Sequence, residues 1–135
     1  MGKSFATFWQ KEENNMDSKE LNTLLLHTFP ELKEEFEEET SWQDGIETGS
    51  FIVFENVFMP FLELNVELNN TEMIERIYSF IEDLSNIDDK YVENVLYVAI
   101  LENILSYVNP DPFIKPLKNN SKKIFDDNYK TKIVL

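Results

Sequence analysis

The hydrophobic pattern of the chain is dominated by one unbroken apolar run, which covers residues 95–101. Seven consecutive apolar residues leave no purely solvent-facing side on a helix, and a helix that is apolar all round is normally buried. Asp88 is a suitable residue to cap such a helix at its start, and Pro110 would prevent its continuation. The pattern therefore predicts a buried central helix over residues 88–108.

Amphipathic patterns predict further helices before this segment. Over residues 71–85, Ile74, Ile77 and Ile81 fall on one stripe at helical spacing. The short link that follows predicts antiparallel packing of this helix against the central one. Near the start of the chain, Asp17 is a good cap for a helix with a stripe of leucines that extends to about residue 28.

Residues 51–68 fit two interpretations. As a strand, residues 51–54 would be apolar on both faces, whereas Phe54, Phe58 and Phe61 lie at helical spacing. Pro60 disfavours a central strand and would kink a continuous helix. We expect a short extended piece near residues 50–54, followed by a helix to about residue 69.

The helical patterns account for most of the chain, and three glycines and five prolines are too few for a turn-rich sandwich or barrel. We therefore expect an all-α protein, a compact bundle of five or six helices around the central helix. A small β-hairpin near residues 50–54 remains open. The expected organisation is a leader over residues 1–16, whose order the sequence does not decide, then a helical core domain over residues 17–110. A basic C-terminal tail over residues 111–135 is expected to pack on the same domain.

The formal net charge of −14 is large for 135 residues and is unevenly distributed. Residues 115–135 contain six lysines and two aspartates, so this segment carries +4 and residues 1–114 carry −18. A field of this sign repels nucleic acid and anionic membranes, and it attracts a basic protein partner.

A predicted helix over residues 30–40 carries much of the negative charge. It contains six glutamates but only two apolar residues, Leu32 and Phe36, so most of its circumference is expected to face solvent. We expect its carboxylates to contact a basic partner, with a tryptophan beside them as an aromatic anchor. The residues predicted for this contact are Glu34, Glu35, Glu38, Glu39 and Trp42. An acidic face that serves solubility alone is the alternative.

The sequence offers little for catalysis. It contains no cysteine and a single histidine, His27, which excludes thiolate chemistry and histidine metal clusters. Three scattered glycines cannot form a phosphate-binding loop, and no serine lies in a Gly-x-Ser-x-Gly turn. Carboxylate pairs such as Glu63 and Glu67 lack the surrounding pattern of a calcium loop or a Glu-x-x-His site. We expect no enzyme activity, no catalytic residue, no metal and no cofactor.

Glu102 follows the apolar run directly, and Asn94 comes just before it. Antiparallel packing would bring Glu82 near them. A carboxylate beside a buried helix must reach water, find a partner or shift its pKa. We interpret Glu102 as a structural hydrogen-bonding residue, with a partner-binding or catalytic role as the alternative.

No apolar run approaches the roughly 18 residues of a transmembrane helix, and the N-terminus lacks the pattern of a secretory signal. We therefore expect a soluble, cytoplasmic protein that does not bind a membrane.

The helix pair in the second half of the chain carries a family resemblance. Residues 77–84 read Ile-Tyr-Ser-Phe-Ile-Glu-Asp-Leu, residues 88–94 read Asp-Asp-Lys-Tyr-Val-Glu-Asn, and residues 101–104 read Leu-Glu-Asn-Ile after Val98. With residues 26–32 and 54–62, these segments resemble a motif of largely uncharacterised small bacterial helical proteins, over about residues 21–108. Some of these proteins resemble immunity proteins encoded beside polymorphic or contact-dependent toxins. The resemblance implies a helical, non-enzymatic binding protein with Glu82, Asn94 and Glu102 as structural motif residues.

Charge and resemblance together favour an immunity or antitoxin-like protein that binds and neutralises a basic toxin domain encoded by a neighbouring gene. A nuclease is the favoured toxin class, because its phosphate-binding cleft is positive and an acidic surface could occlude it. The alternative is a helical scaffold or regulatory adaptor whose acidic charge serves only solubility.

Overall fold

The computed structural model describes residues 16–130, with the backbone alone for residues 129 and 130. The predicted leader over residues 1–16 lies outside this part of the chain apart from Met16, as do residues 131–135.

Seven helices follow one another over residues 16–130, and none of these residues forms a strand. The all-α prediction is confirmed. The helices are α1 (Ser18–Thr28), α2 (Lys33–Thr40), α3 (residues 50–67), α4 (Thr71–Ser85), α5 (residues 90–105), α6 (Asp111–Ile114) and α7 (residues 119–130). Short 3₁₀ turns lie at Pro30–Leu32 and Gly45–Glu47. The number exceeds the expected five or six because the segment after Pro110 forms two helices.

Three of the helices contain a π-helical segment that continues directly from α-helix. In α3 the segment Phe54–Phe58 joins Ser50–Val53 to Met59–Glu67. In α5 the segment Leu96–Leu101 joins Lys90–Val95 to Glu102–Leu105, and in α7 Asp126–Lys130 follows Asn119–Phe125.

Side-chain caps begin the helices close to the predicted positions. The Asp17 side chain accepts from the Glu20 N–H at 2.9 Å, and the Glu20 side chain accepts from the Asp17 N–H at 3.1 Å. Each satisfies a backbone donor that the helix leaves unpaired. At α5 the cap is Asp89 rather than the predicted Asp88, because the buried Asp89 carboxylate accepts from both the Val92 and Met16 N–H groups.

The expected extended piece and the possible β-hairpin near residues 50–54 are not formed, because Ser50–Val53 begins helix α3. Pro60 does not break this helix. A proline lacks the N–H that would bond to the preceding turn. The π segment ends at Phe58, two residues before Pro60, with the Met59 N–H bonded to the Phe54 carbonyl. One continuous helix thereby buries Phe54, Phe58 and Leu62 on the same side.

Helix α5 occupies the predicted central position, but the expectation that none of its sides faces solvent is wrong. Its buried side includes Val95, Leu96 and Ile100, whereas Val98 in the same apolar run is 43% exposed. The exposed residues recur at every fourth position, at Lys90, Asn94, Val98, Glu102 and Ser106. A π-helical turn contains more residues than an α-helical turn, which helps to keep residues four apart on the same face of α5.

An aromatic cluster joins the end of α1 to α3 and α4. The ring of Phe80 lies 5.4 Å from that of Phe29 in an edge-to-face arrangement, and 5.7 Å from that of Phe58, centroid to centroid. Phe54 lies parallel to Phe80 at 6.4 Å. Such pairs contribute about 0.5–1.5 kcal/mol each beyond their burial, so this cluster fixes α3 and α4 against α1.

The segment after Pro110 packs against the same core. Phe113, Leu117 and Phe125 are buried, and the Tyr78 hydroxyl of α4 donates to the Phe113 carbonyl at 2.7 Å. Burial raises the pKa of this hydroxyl, which therefore stays protonated and remains a donor at neutral pH. Between residues 16 and 130, no helix is long and apolar enough to cross a membrane.

Candidate partner-binding surface

Helix α2 is attached to the core by few residues. Leu32 precedes it and Phe36 lies in its middle, and these two side chains are buried together with Thr40 at its end. The Thr40 hydroxyl donates to the Phe36 carbonyl at 2.8 Å, so the polar group at this end is satisfied within the helix. With so narrow a buried stripe, the rest of the helix surface faces solvent, as its pattern predicts.

One stripe of glutamates, Glu31, Glu35 and Glu39, runs along the side of α2 and the turn before it. Glu31 accepts from the guanidinium of Arg76 at 2.7 and 3.2 Å, and this hydrogen-bonded pairing lowers the pKa of Glu31. Glu39 accepts from the side-chain amide of Asn56 on α3 at 2.8 Å. Glu35 lies between them, exposed, and no side chain among residues 16–130 bonds to its carboxylate.

Arg76, the chain's single arginine, is fully engaged at this side of α2. It donates to the Thr28 carbonyl at 3.1 Å as well as to Glu31, and its guanidinium carbon lies 5.1 Å from the ring centroid of Phe29. Arg76 therefore neutralises Glu31 and leaves the carboxylates further along the helix uncompensated.

The outer side of α2 carries Glu34, Glu37 and Glu38, all exposed. Lys33 approaches Glu37 at 3.9 Å, which is a long contact between two exposed groups and contributes little. Glu34 and Glu38 form no ion pair or hydrogen bond through their carboxylates within the described part of the chain. The predicted contact residues thus divide into three open carboxylates and one, Glu39, that is partly held by α3.

Trp42 lies in the turn after α2 and is 75% exposed. The loop that carries it is anchored at its far end by Asn22, whose side-chain amide donates to the carbonyls of Ile46 and Thr48 at 3.0 and 2.7 Å. The Ser50 hydroxyl in turn donates to the Asn22 side-chain oxygen at 2.9 Å. An indole held outside the core on an anchored loop is accessible to a partner without first breaking core contacts.

A shallow apolar groove lies between α2 and α3, beside the glutamate stripe. The residues that line it are Leu32, Glu35, Asn56, Val57, Pro60, Phe61 and Leu64. Leu64, in the last turn of α3, is 53% exposed and extends the apolar surface of this groove to solvent. Sequence reasoning missed this groove, although Val57, Phe61, Leu64 and Leu68 follow an i, i+4, i+7, i+11 series that broadens the apolar side of α3 beyond its buried part.

The three predicted structural motif residues lie in different environments. Glu82 on α4 accepts from the Asn120 and Ser121 N–H groups, both at 2.9 Å, and from the Ser121 hydroxyl at 3.0 Å. Its carboxylate therefore caps the start of α7. Burial on its own would raise the pKa of Glu82, but these bonds, with one from Asn86, outweigh it and lower the pKa.

Asn94 and Glu102 lie instead on the exposed face of α5. Glu102 borders a shallow, open depression with Glu55, Val98 and Ser106, where it is exposed to solvent. The structure does not bring Glu82 into the same hydrogen-bond network as these two residues.

Groups suited to metal binding or acid–base chemistry do not converge within residues 16–130. No cluster of three or more histidine, aspartate or glutamate side chains with metal-binding geometry occurs there. His27 is exposed near the end of α1. The other displaced pKa values have structural causes, such as burial of the Tyr107 hydroxyl, which raises its pKa to about 12.

The fold and this surface define a small all-helical protein with an open acidic face and an exposed indole beside it. The family model of DUF7674, a domain of unknown function, matches residues 22–131, and the chain belongs to this family. No curated protein and no solved structure matches the chain.

Proposed function

We propose that this protein is a non-enzymatic, immunity or antitoxin-like protein that binds and neutralises a basic bacterial toxin through the acidic face of α2. The toxin is a protein encoded by a neighbouring gene, and a nuclease domain is the class that fits best. The protein acts in the cytoplasm, where such a toxin would reach its substrate.

The observation that carries this proposal is the set of open carboxylates, Glu34, Glu35 and Glu38, beside the exposed Trp42. Carboxylates that already serve the fold would have to give up a partner before binding another protein. These three are exposed and have no such partner among residues 16–130. An aromatic side chain next to them supplies apolar contact area of the kind that dominates binding energy at interfaces.

The net charge of the whole chain also favours a basic partner. A net charge of −14 attracts a basic domain over roughly a Debye length and raises its association rate at low ionic strength. A nuclease binds phosphates through a positive cleft, so a row of carboxylates could occupy that cleft and exclude nucleic acid.

The test is a calorimetric titration of the full chain with the product of the neighbouring gene, at low and physiological ionic strength. We expect a complex that weakens steeply with salt. The variant with Glu34, Glu35 and Glu38 all changed to Gln should bind at least about tenfold more weakly, mainly through slower association. Co-expression with the toxin should protect cells with the wild-type chain and protect them less with the variant.

A matched control distinguishes the effect of this acidic face on binding from the effect of total charge. Changing Glu47, Glu67 and Glu102 to Gln removes the same charge from exposed positions outside α2. This control should bind nearly as well as the wild type. Absence of binding at low salt would overturn the proposal, and an equal loss in both variants would assign the effect to net charge. Binding by neither variant nor wild type would favour the scaffold or adaptor alternative.

A further inference from the structure

The groove between α2 and α3 combines an apolar surface with a carboxylate that is unpaired within residues 16–130. Its apolar lining includes Val57, Phe61 and the half-exposed Leu64 of α3. Its rim carries the carboxylate of Glu35, which has no hydrogen-bond partner in the described part of the chain. A side chain that fills this groove therefore needs an apolar body and a polar tip.

Charge complementarity indicates that this polar tip is positively charged. Glu35 lies in the middle of the glutamate stripe, between Glu31, which Arg76 neutralises, and Glu39, which is bonded to the neutral amide of Asn56. The field at the rim is therefore negative, and the one arginine nearby is already committed to Glu31 and Thr28. An anionic or purely apolar group at this rim would leave the carboxylate unpaired, whereas a cation would pair with it.

We propose that this groove is the specificity pocket for one arginine side chain of the protein partner. The aliphatic stem of that arginine would lie along Phe61 and Leu64, and its guanidinium would pair with Glu35. Arginine fits better than lysine because its planar guanidinium can bond a carboxylate through two parallel N–H groups and can also stack on an aromatic face. The inference rests on the proposed function, because it assumes that a basic protein docks on α2.

The protein itself provides an example of the same chemistry. Arg76 pairs with Glu31 through two N–H groups while its guanidinium lies over the ring of Phe29. Glu35 is one helical turn after Glu31, and Phe61 lies beside it in the groove. The proposed arginine would therefore repeat, at the next turn, an arrangement that the fold already uses.

The test can be made without the toxin. The isotope-labelled full chain is titrated, by two-dimensional NMR, with the peptide acetyl-Ala-Arg-Ala-amide, and in parallel with the same peptide carrying citrulline, which has the shape of arginine without its charge. We expect the arginine peptide to shift the amide and methyl signals of residues 56–64 and Glu35. The citrulline peptide should cause shifts at least threefold smaller.

Two residues of α2 give a matched pair of variants. Glu35→Gln should reduce the shifts at residues 56–64 at least threefold. Glu37→Gln removes the same charge from the outer side of α2, at a residue outside the proposed contact set, and should leave them nearly unchanged. Leu64→Gln replaces a half-exposed side chain and should also weaken the response while the fold remains intact.

Three outcomes would overturn the inference. Shifts spread evenly over all acidic residues would mean charge attraction alone, and equal loss in both glutamate variants would mean the same. Groove signals that move on dilution, together with a dimer in sedimentation, would identify a second copy of the chain as the occupant. If the peptide binds in the groove but no toxin binds the chain, the proposed function fails and the arginine pocket stands.

Discussion

The acidic face of α2 and the seam between α4 and α7 both concentrate charged residues, but they use them differently. In the seam, Lys118 pairs with Glu75 at 2.9 Å, and Glu82 binds the first N–H groups of α7. Further along α7, Lys122 pairs with Asp126 at 3.1 Å and Lys123 with Asp127 at 3.5 Å. Three of the six lysines that make the C-terminal segment basic in sequence are therefore paired within the fold.

On α2 the opposite holds. Only Glu31 and Glu39 are bonded to side chains of other helices, while Glu34, Glu35 and Glu38 have no such contact among residues 16–130. The comparison shows that net charge by itself does not locate a binding surface. The two regions differ in their carboxylates: those in the seam already accept hydrogen bonds from donors of the same chain, whereas Glu34, Glu35 and Glu38 do not in the described part of the chain.

The largest effect on the fold is expected from Glu82→Gln. This change removes the negative charge at the start of α7 and at least one of three hydrogen bonds, so the chain should lose about 2 kcal/mol of unfolding free energy. The expected loss of unfolding free energy is modest because the Glu82 side chain is partly in contact with solvent. Urea unfolding at neutral pH measures the loss, and Glu34→Gln, with the same change in charge, should leave the midpoint almost unmoved. Equal midpoints for the two variants would contradict the distinction between seam and face.

The same interaction predicts how the unfolding free energy changes at acidic pH. Because the hydrogen bonds at α7 lower the pKa of Glu82 in the folded state, its contribution is fully present above the unfolded value of about 4.3. It is lost as the pH falls through the lower, folded pKa. The difference in unfolding free energy between wild type and Glu82→Gln should therefore shrink in this range, measured by urea unfolding from pH 7 to pH 3. A difference that stays constant down to pH 3 would show that Glu82 does not act through its charge.

Local features of the fold were predictable because they depend on neighbouring residues. The cap at Asp17 follows from residue type and helical spacing, and the amphipathic stripe of α4 needed no tertiary information. The exposure of Val98 could not be read from an apolar run, because which side of α5 lacks a covering helix is decided by distant parts of the chain. The helical start of α3 was missed because Pro60 suggested a break that a π turn accommodates.

The candidate site was predictable only in part for the same reason. The exposure of Glu34 and Glu38 follows from a helix with only two apolar residues. The engagement of Glu39 by Asn56, and the groove at Glu35, depend on contacts between helices that no local pattern records. Glu82 was identified by resemblance, but its partners lie 38 and 39 residues further along the chain.

A smaller effect is expected from the residue next to Glu82. Partial desolvation and the negative charge of Glu82 raise the pKa of Asp83, so its ionised form is disfavoured in the folded state and lowers stability above that pKa. Asp83→Asn should therefore stabilise the protein at neutral pH, by less than about 0.5 kcal/mol because the side chain is exposed. Thermal unfolding compares it with Glu82→Gln, and two adjacent carboxylates should shift the midpoint in opposite directions. A destabilised Asp83→Asn would mean that Asp83, too, holds a donor of the fold.

The smallest effect on stability is expected on α2, where the effect on binding should be largest. Removing Glu34, Glu35 and Glu38 relieves like-charge repulsion between residues four apart, which is worth about 0.2–0.5 kcal/mol per pair. It also removes negative charge from the first turn, where the helix dipole favours it by a similar amount. The two terms nearly cancel, so the triple Gln variant should unfold at the wild-type urea midpoint while losing its basic partner. A clear loss of stability would show that α2 needs these carboxylates for its own structure, and the contrast with the α4–α7 seam would then disappear.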